Sequence, residues 1–317
     1  MVAGPRNIMP TDLLALVTSA GSSLENQAWP RERLGLAESQ PTLNVVRDQL
    51  LAFGKQRSAW VSTRRQRLQG LAGARKRGGN TAWEIDYLVD SASDARICSG
   101  LLTHVVEAGG QQGVQKVFLR LESDAGLLRT AIESGFVPYQ NESLYVLDGG
   151  LTLATRTTPE GLRPARPADG YPLFRLYNAT TPETTRRYEA VTFAEWQAAQ
   201  EKRWLRHGDQ LVYEADGVLH GIVRCARHSQ GLMLDVMLDT ATTDCVQGVI
   251  EGAVSMLDAA REPILVLVPQ SREWLARRLE DMGFEMRGSF TSLIQRTVRP
   301  IAVPKMTPAV AKHAIGV

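Results

Sequence analysis

The sequence predicts an α/β protein made of two similar halves, each a mixed sheet flanked by helices. Two observations carry this prediction. The pattern Asp-x-aliphatic-aliphatic-Asp occurs twice, in DYLVDSASD (86–94) and in DVMLDTATTD (235–244), and the two copies start 149 residues apart. After each copy come an amphipathic helix, an apolar strand and a second helix that ends at Gly-Phe, with a spacing of 148 residues between the two Gly-Phe pairs.

The front of each half is predicted from turn and capping signals. Pro-x-Asp precedes a helix at 10–12 and at 167–169, where the aspartate can cap free backbone N–H groups. A second helix is expected at 43–53 and at 192–205, followed in each half by three strands. Between the first two strands of the second half, Asp216-Gly217 predicts a tight hairpin.

The back of each half starts at the acidic motif. Asp94 and Asp244 are expected to cap the next helix. Apolar runs rich in branched residues at 114–121 and 263–269 predict buried strands. The following helices stop at a glycine, which adopts the left-handed conformation without steric cost, and each helix should lead into a last pair of strands.

A Gly- and Thr-rich connector over 147–161 divides the chain. We therefore expect an N-terminal domain at 1–150, a C-terminal domain at 151–300 and a tail at 301–317.

Composition narrows the class of protein. The 317 residues are 44% hydrophobic and 22% charged, with a net charge of +2, as in soluble globular proteins. No apolar run has the length of a membrane span and no secretory signal is visible, so we expect a cytoplasmic protein with no membrane partner. Three cysteines without C-x-x-C spacing and five histidines without ligand spacing predict no metal site.

One interval is strongly basic. No acid lies between Asp48 and Glu84, and the stretch 55–77 carries eight Lys or Arg residues. Such a patch could attract the phosphates of a cofactor or another anion, or it could be an ordinary solvated face. We do not expect nucleic acid as the partner.

The order of elements resembles the GNAT acetyltransferase superfamily, and so do the segments GVQKVFLRLESDAGLLRTAIESGFVPY (113–139) and PILVLVPQSREWLARRLEDMGFEM (263–286). The resemblance implies two tandem acyl-CoA N-acyltransferase folds. In that family acetyl-CoA enters a gap between the fourth and fifth strands, and its pantetheine pairs with the fourth strand. Its pyrophosphate rests on a Q/R-x-x-G-x-G/A loop at the third helix, where N–H groups and the helix dipole bind phosphate.

The chain departs from the family at this loop and at the catalytic positions. Neither copy has the glycine pattern, and Asp94 and Asp244 stand where phosphate would rest. The family's tyrosine acid falls on Ala131 and Leu279. The remaining candidates for proton transfer are acids on or near the fourth strand and tyrosines on the last strands. They are Glu84, Asp86, Tyr139 and Tyr145 for the first half, and Asp235 for the second.

The charge pattern assigns acetyl-CoA to the first half, as a co-substrate. Arg96 and several hydroxyls lie near the first loop, whereas the second half has five acids and no cation between Arg227 and Arg261. The predicted cofactor-binding residues are Leu88, Val89, Asp90, Ser91, Ser93, Arg96, Ser99 and Gly100. The implied reaction is N-acetyl transfer to an amine on a small molecule or peptide. The alternative is a catalytically degenerate GNAT-like scaffold or binding module.

Overall fold

The computed structural model describes residues 4–9, 12, 25–35, 57–64, 67–91, 94–150 and 160–297. The strands of the first half are β1 (Arg6–Asn7), β2 (Arg57–Arg64), β3 (Arg67–Lys76), β4 (Ala82–Asp90), β5 (Lys116–Glu122) and β6 (Val137–Leu147). Those of the second half are β7 (Leu162–Pro164), β8 (Asp209–Ala215), β9 (Val218–His228), β10 (Gly231–Leu238), β11 (Ile264–Pro269) and β12 (Glu285–Arg296).

Seven α-helices flank these strands in the described ranges. Two belong to the first half: α1 (Ala95–Gln111) and α2 (Leu127–Glu133). Five belong to the second half: α3 (Gly170–Thr180), α4 (Glu183–Glu189), α5 (Phe193–Ala199), α6 (Val246–Met256) and α7 (Glu273–Asp281). The helix predicted at 43–53 lies outside the described residues. The helix predicted at 192–205 is shorter, and α4 was not predicted.

All twelve strands form one sheet in the order β1-β2-β3-β4-β5-β12-β6-β11-β10-β9-β8-β7. The halves exchange their last strands. β12 lies antiparallel between β5 and β6, and β6 lies antiparallel between β12 and β11. The prediction of a final strand pair in each half was wrong, because each half has one long last strand and the other half supplies the neighbour. The division into an N-terminal domain at 1–150 and a C-terminal domain at 151–300 remains a prediction from the sequence repeat.

The core has one layer on each face of the sheet. In the first half, α1 and α2 pack on alternate residues of β3, β4 and β5. In the second half, α6 and α7 cover one face, which includes Val223 and Val236, while α3 and α5 cover the other, which includes Ile222 and Met237. The second half therefore has a described helical wall on both faces, and this wall bounds the cavity described below.

Local details support the repeat. The side chain of Asp12 accepts bonds from the Arg6 guanidinium at 2.7 and 2.6 Å and from Met9 N at 2.7 Å. Asp169 accepts from Arg163 at 2.9 and 3.0 Å and from Arg166 N at 2.7 Å. Each aspartate thus bonds the arginine of an edge strand and a backbone N–H three residues before itself.

The capping predictions have different outcomes in the two halves. Asp94 is the N-cap of α1, and its carboxylate accepts from Arg96 N at 2.9 Å. For Asp244 the prediction was wrong, because a 3₁₀ turn over Thr240–Cys245 leads into α6 and Cys245 is the N-cap, without a side-chain cap bond. The predicted hairpin is confirmed: Asp216 and Gly217 have φ of 51° and 74° between the paired residues Ala215 and Val218.

Candidate functional site

The two predicted acids of the first half are ion-paired in the interior. Glu84 accepts from Arg75 Nε at 3.1 Å and Nη2 at 2.8 Å, and Asp86 lies 3.2 Å from Arg75 Nη1. Arg75 also binds Glu32. All three members of the Arg75, Glu84 and Asp86 group are at most 5% exposed. Glu84 and Asp86 are therefore buried beside a shared cation and have no access to a substrate amine.

The predicted tyrosines do not face the first cleft together. Tyr139 packs edge-on against Phe118, and burial raises its pKa. Tyr145 lies on the exchanged strand β6, packs into the core under α6 and α7, and donates to Glu280 at 3.2 Å. Because β6 crosses into the second half, Tyr145 cannot serve the first cleft.

The gap between β4 and β5 is filled by the chain itself. These strands pair in parallel only at 82–84 with 116–118. Beyond that point Gln27 N donates to Leu88 O at 2.8 Å, and Trp29 N donates to Arg120 O at 2.9 Å. The Asn26 side chain accepts from Leu88 N at 2.8 Å and donates to Asp86 O at 3.0 Å. Residues 26–29, named the plug here, hold the backbone groups that the resemblance assigns to pantetheine.

The other predicted cofactor residues have mixed environments. Val89 is buried in a small apolar cluster, and Asp90 accepts from Asp94 N at 3.2 Å. Arg96 and Ser91 are exposed, and the N–H of Arg96 is held by Asp94. Ser99 accepts from Ser134 Oγ at 3.0 Å, and Gly100 lies beside Pro5. Ser93 lies outside the described residues. In the described residues of the first half, the plug thus occupies the edge of β4 that the resemblance assigns to acetyl-CoA.

We predict that Asn26→Ala destabilises the chain by about 2–3 kcal/mol, because Leu88 N–H and Ala28 N–H lose a buried acceptor. Urea unfolding of the full chain measures this. Asn80→Ala removes a comparable amide at an exposed position, where it contacts Lys76, and should change stability by less than about 0.5 kcal/mol. Equal effects of the two variants would show that the plug is not held as described.

The equivalent gap of the second half opens into a cavity of about 690 Å³. β10 and β11 pair at 232–234 with 264–266 and separate beyond Leu234. Asp235, Met237 and Leu267 line the cavity at this separation, and Tyr177 and Trp196 line its helical wall. First-half residues complete the lining. They are Arg31, Arg77, Gln140 and Glu142.

Glu201 ties the two halves together at this cavity. Its carboxylate accepts from Arg120 Nη2 at 2.7 Å and Arg77 Nη2 at 2.8 Å, and Arg31 lies at 3.8 Å. Burial would raise the pKa of Glu201, but the charges of Arg120, Arg77 and Arg31 outweigh it and hold the pKa well below its ordinary value. Arg77, part of the predicted basic patch, is thus neither a phosphate-binding nor a solvated residue.

Asp235 is similarly held as a carboxylate. Arg224, its cross-strand partner, donates to it at 2.8 Å, and Arg31 lies 3.5 Å away. Burial works to raise the pKa of Asp235, but Arg31 and Arg224 lower it overall. This carboxylate is a poor proton acceptor at neutral pH because its charged form is already stabilised.

Glu189 has the opposite environment in the same cavity. It lies at the end of α4, and its carboxylate accepts from the hydroxyl of Tyr177 at 3.0 Å. Burial raises the pKa of Glu189, and the nearby cation Arg77 only partly offsets this. A carboxylate with a raised pKa beside a cavity has the properties of a general base.

One side chain bridges the second gap. Arg272, 9% exposed, donates from Nη1 to Val236 O at 2.9 Å. Its Nε has no hydrogen-bond partner among the described residues. The first gap is closed by backbone groups of the plug, whereas the Arg272 side chain crosses this one.

The start of α6 also differs from that of α1. Asp244 is 95% exposed and lies 3.6 Å from Arg278 of α7. The charge count between Arg227 and Arg261 did not include Arg278 or Arg272, because both follow that interval in the sequence.

Within the part of the chain that the structure describes, no group of three or more metal-ligating side chains occurs. None of the described helices is long and apolar enough to cross a membrane.

Comparison with solved structures identifies the fold. A GCN5-related N-acetyltransferase from Sphaerobacter thermophilus matches with a TM-score of 0.53 and 16% identity, over 92% of this chain and 95% of that one. A tandem GNAT protein of the clavulanic acid biosynthesis pathway matches at 0.51 and 15%, over 90% and 93%. A putative acetyltransferase from Pyrococcus horikoshii matches at 0.52 and 12%, over 93% and 89%.

No family model matches the sequence, and no curated protein matches it either. The structural matches cover both halves, so the chain has the tandem GNAT N-acetyltransferase fold. At these identities the likeness concerns the fold, and the chemistry has to be argued from the residues of this chain.

Proposed function

We propose that the chain is an acetyl-CoA-dependent N-acyltransferase whose working cleft is in the second half. The observation that carries the proposal is the cavity at the separation of β10 and β11, which is the position where the resemblance expects acyl transfer. The first half acts as a structural partner. The plug supports the alternative of a catalytically degenerate GNAT-like domain, but only for the first half.

The residues of the second half fit acetyl-CoA better than those of the first. Val236 O is bonded by the Arg272 side chain and the N-cap of α6, Cys245, makes no side-chain cap bond. Arg278, which lies 3.6 Å from Asp244 and 3.7 Å from Asp281, is a cation near this helix start. These groups would hold the pantetheine and the phosphates. Bound acetyl-CoA would supply the acyl group as an activated thioester.

Glu189 is the proposed base, since it lines the cavity and its pKa is raised by burial. It would bind the ammonium of the acceptor and take up a proton from it, while the hydroxyl of Tyr177 holds the carboxylate in place. Asp235 and Glu201 stay charged and keep the arginines of the cavity fixed. In this proposal Glu189 is the proton-accepting carboxylate, and Asp235 and Glu201 are structural carboxylates.

Calorimetric titration of the full chain with acetyl-CoA tests the proposal. We expect one site per chain. Arg278→Ala should weaken binding about tenfold, the usual effect of losing one charge-assisted contact to phosphate. Arg96→Ala should leave the affinity unchanged, and so should Arg129→Ala, which removes an exposed arginine from α2. Absence of binding, or weakening by Arg96→Ala alone, would contradict the assignment to the second half.

A separate test concerns the base. Glu189→Gln should reduce thioester consumption with an amine acceptor at least about a hundredfold, the usual share of general base catalysis, with unchanged affinity for acetyl-CoA. In the unmodified chain, activity should rise with pH through the raised pKa of Glu189, because only the carboxylate accepts a proton. Glu183→Gln, an exposed change on the same helix, is the matched control. Full activity of Glu189→Gln would remove Glu189 from the mechanism.

A further inference from the structure

Most charges that line the cavity are already balanced by other side chains. Arg77 pairs with Glu201, and Arg224 pairs with Asp235. Arg31 lies within 4.0 Å of both carboxylates. These pairs leave little net charge with which to select a ligand.

Arg272 is the first exception. Its guanidinium makes no ion pair within 4.0 Å among the residues that the structure describes, and its bond from Nη1 goes to the neutral carbonyl of Val236. Its Nε has no partner there, although the residue is only 9% exposed. Burial lowers the pKa of Arg272, and the anions Asp235 and Glu189, which act on it without an ion pair within 4.0 Å, only partly offset this. A ligand carboxylate in direct contact would stabilise the buried cation.

Glu189 is the second exception. Its carboxylate is bonded by the Tyr177 hydroxyl, a neutral donor, and no cation lies within 4.0 Å of it in the described ranges. Lys116 Nζ approaches this residue but bonds its backbone carbonyl at 2.8 Å, and directs its ion pair to Glu195. Among the lining charges that are not exposed, Arg272 and Glu189 thus make no ion pair within 4.0 Å with a described residue, whereas the cations Arg166 and Lys202 line the cavity at exposed positions.

We propose that the acceptor is a free amino acid or a close analogue, with its ammonium group on Glu189 and its carboxylate on Arg272. This inference rests on the proposed function and names its substrate class. A zwitterion would give both side chains an opposite charge in direct contact, whereas a simple amine would leave Arg272 without one. The lining of the cavity includes Leu173, Trp196 and Leu267, which favours a hydrophobic side chain on the amino acid.

Binding of leucine, phenylalanine and tryptophan to the full chain, measured by calorimetry without acetyl-CoA, tests the inference. Each amino acid is compared with its amide and with its decarboxylated amine. We expect at least one amino acid to bind. Its amide and its amine should bind at least about tenfold more weakly, because each lacks the carboxylate. Failure of all three amino acids to bind, or equal binding of the analogues, would overturn the inference.

Two variants make the test specific. Arg272→Gln should remove the preference for the amino acid over its decarboxylated amine. Glu189→Gln should weaken the binding of the amino acid and of the amine. Arg277→Gln, one turn further along α7 and exposed, is the control for charge, and a circular dichroism spectrum checks that each variant is folded. If Arg272→Gln keeps the preference, the inference is wrong. Acetyl transfer to amines without a carboxylate would defeat the inference and leave the proposed function standing.

Discussion

Removal of residues 285–317 is expected to unfold the whole chain, including the first half. β12 pairs with β5 over seven residues of the first half and with β6 along most of its length. Its loss exposes the edges of both strands and removes the buried side chains Phe290, Leu293 and Ile294. Three such side chains contribute roughly 5–9 kcal/mol, which is comparable to the whole stability of a domain, about 5–15 kcal/mol.

The measurement is circular dichroism together with thermal unfolding of the truncated chain. A chain that ends at residue 297 keeps β12 and is the matched control, with an expected melting temperature close to that of the full chain. For the same reason the isolated segments 1–150 and 151–317 should not fold separately. Cooperative unfolding of a chain that ends at residue 284 would contradict the exchange of strands.

Glu201→Gln is expected to lower the free energy of unfolding by about 3–5 kcal/mol, the usual cost of removing one partner from a buried ion pair. The change leaves Arg77 and Arg120 with a neutral partner where each now bonds a carboxylate. Both arginines belong to the first half and Glu201 to the second. Denaturant unfolding measures the effect, and Glu183→Gln, on an exposed helical pair with Arg187, should cost less than about 0.5 kcal/mol.

The pH dependence follows from the direction of the pKa shift. The folded-state pKa of Glu201 is lowered, so the unfolded chain binds its proton first as the pH falls. Its contribution to stability is therefore complete above the ordinary pKa, about 4.5, and is lost as the pH falls toward the lowered value. Glu201→Gln should flatten this part of the stability profile. An unchanged profile would show that Glu201 is not held by the arginines.

The order of elements could be predicted from the sequence because hydrophobic periodicity, Gly-Phe stops and capping residues are local signals. The exchange of β6 and β12 could not, since either last strand has the same alternation whichever sheet edge it joins. The resemblance to the GNAT fold marked both clefts. The plug was missed because residues 26–29, Asn-Gln-Ala-Trp, carry no strand pattern and bind β4 and β5 mainly through backbone groups.

The sequence-based prediction and the proposal made from the structure place the site in different halves, for a related reason. A count of charges along the sequence favoured the first loop, since Arg96 lies near Asp94 and the second loop is acidic. In three dimensions Arg272 and Arg278 enter the second site from α7 and the turn before it. Arg75 forms an ion pair with Glu84, and Arg77 forms one with Glu201. Both arginines belong to the basic stretch that favoured phosphate binding by the first half. Such pairings depend on strand register and on contacts between the halves.

The most direct test of the assignment is hydrogen exchange of the full chain with and without acetyl-CoA. The second half should become protected at the end of β10, residues 236–238, and over the first turn of α6, residues 246–250. The equivalent segments of the first half, residues 88–91 and 95–99, should exchange at the same rate in both conditions, because the plug already bonds both backbone groups of Leu88 and the proposal places no cofactor there. Protection confined to 88–99 would contradict the account, and so would unchanged exchange in both halves.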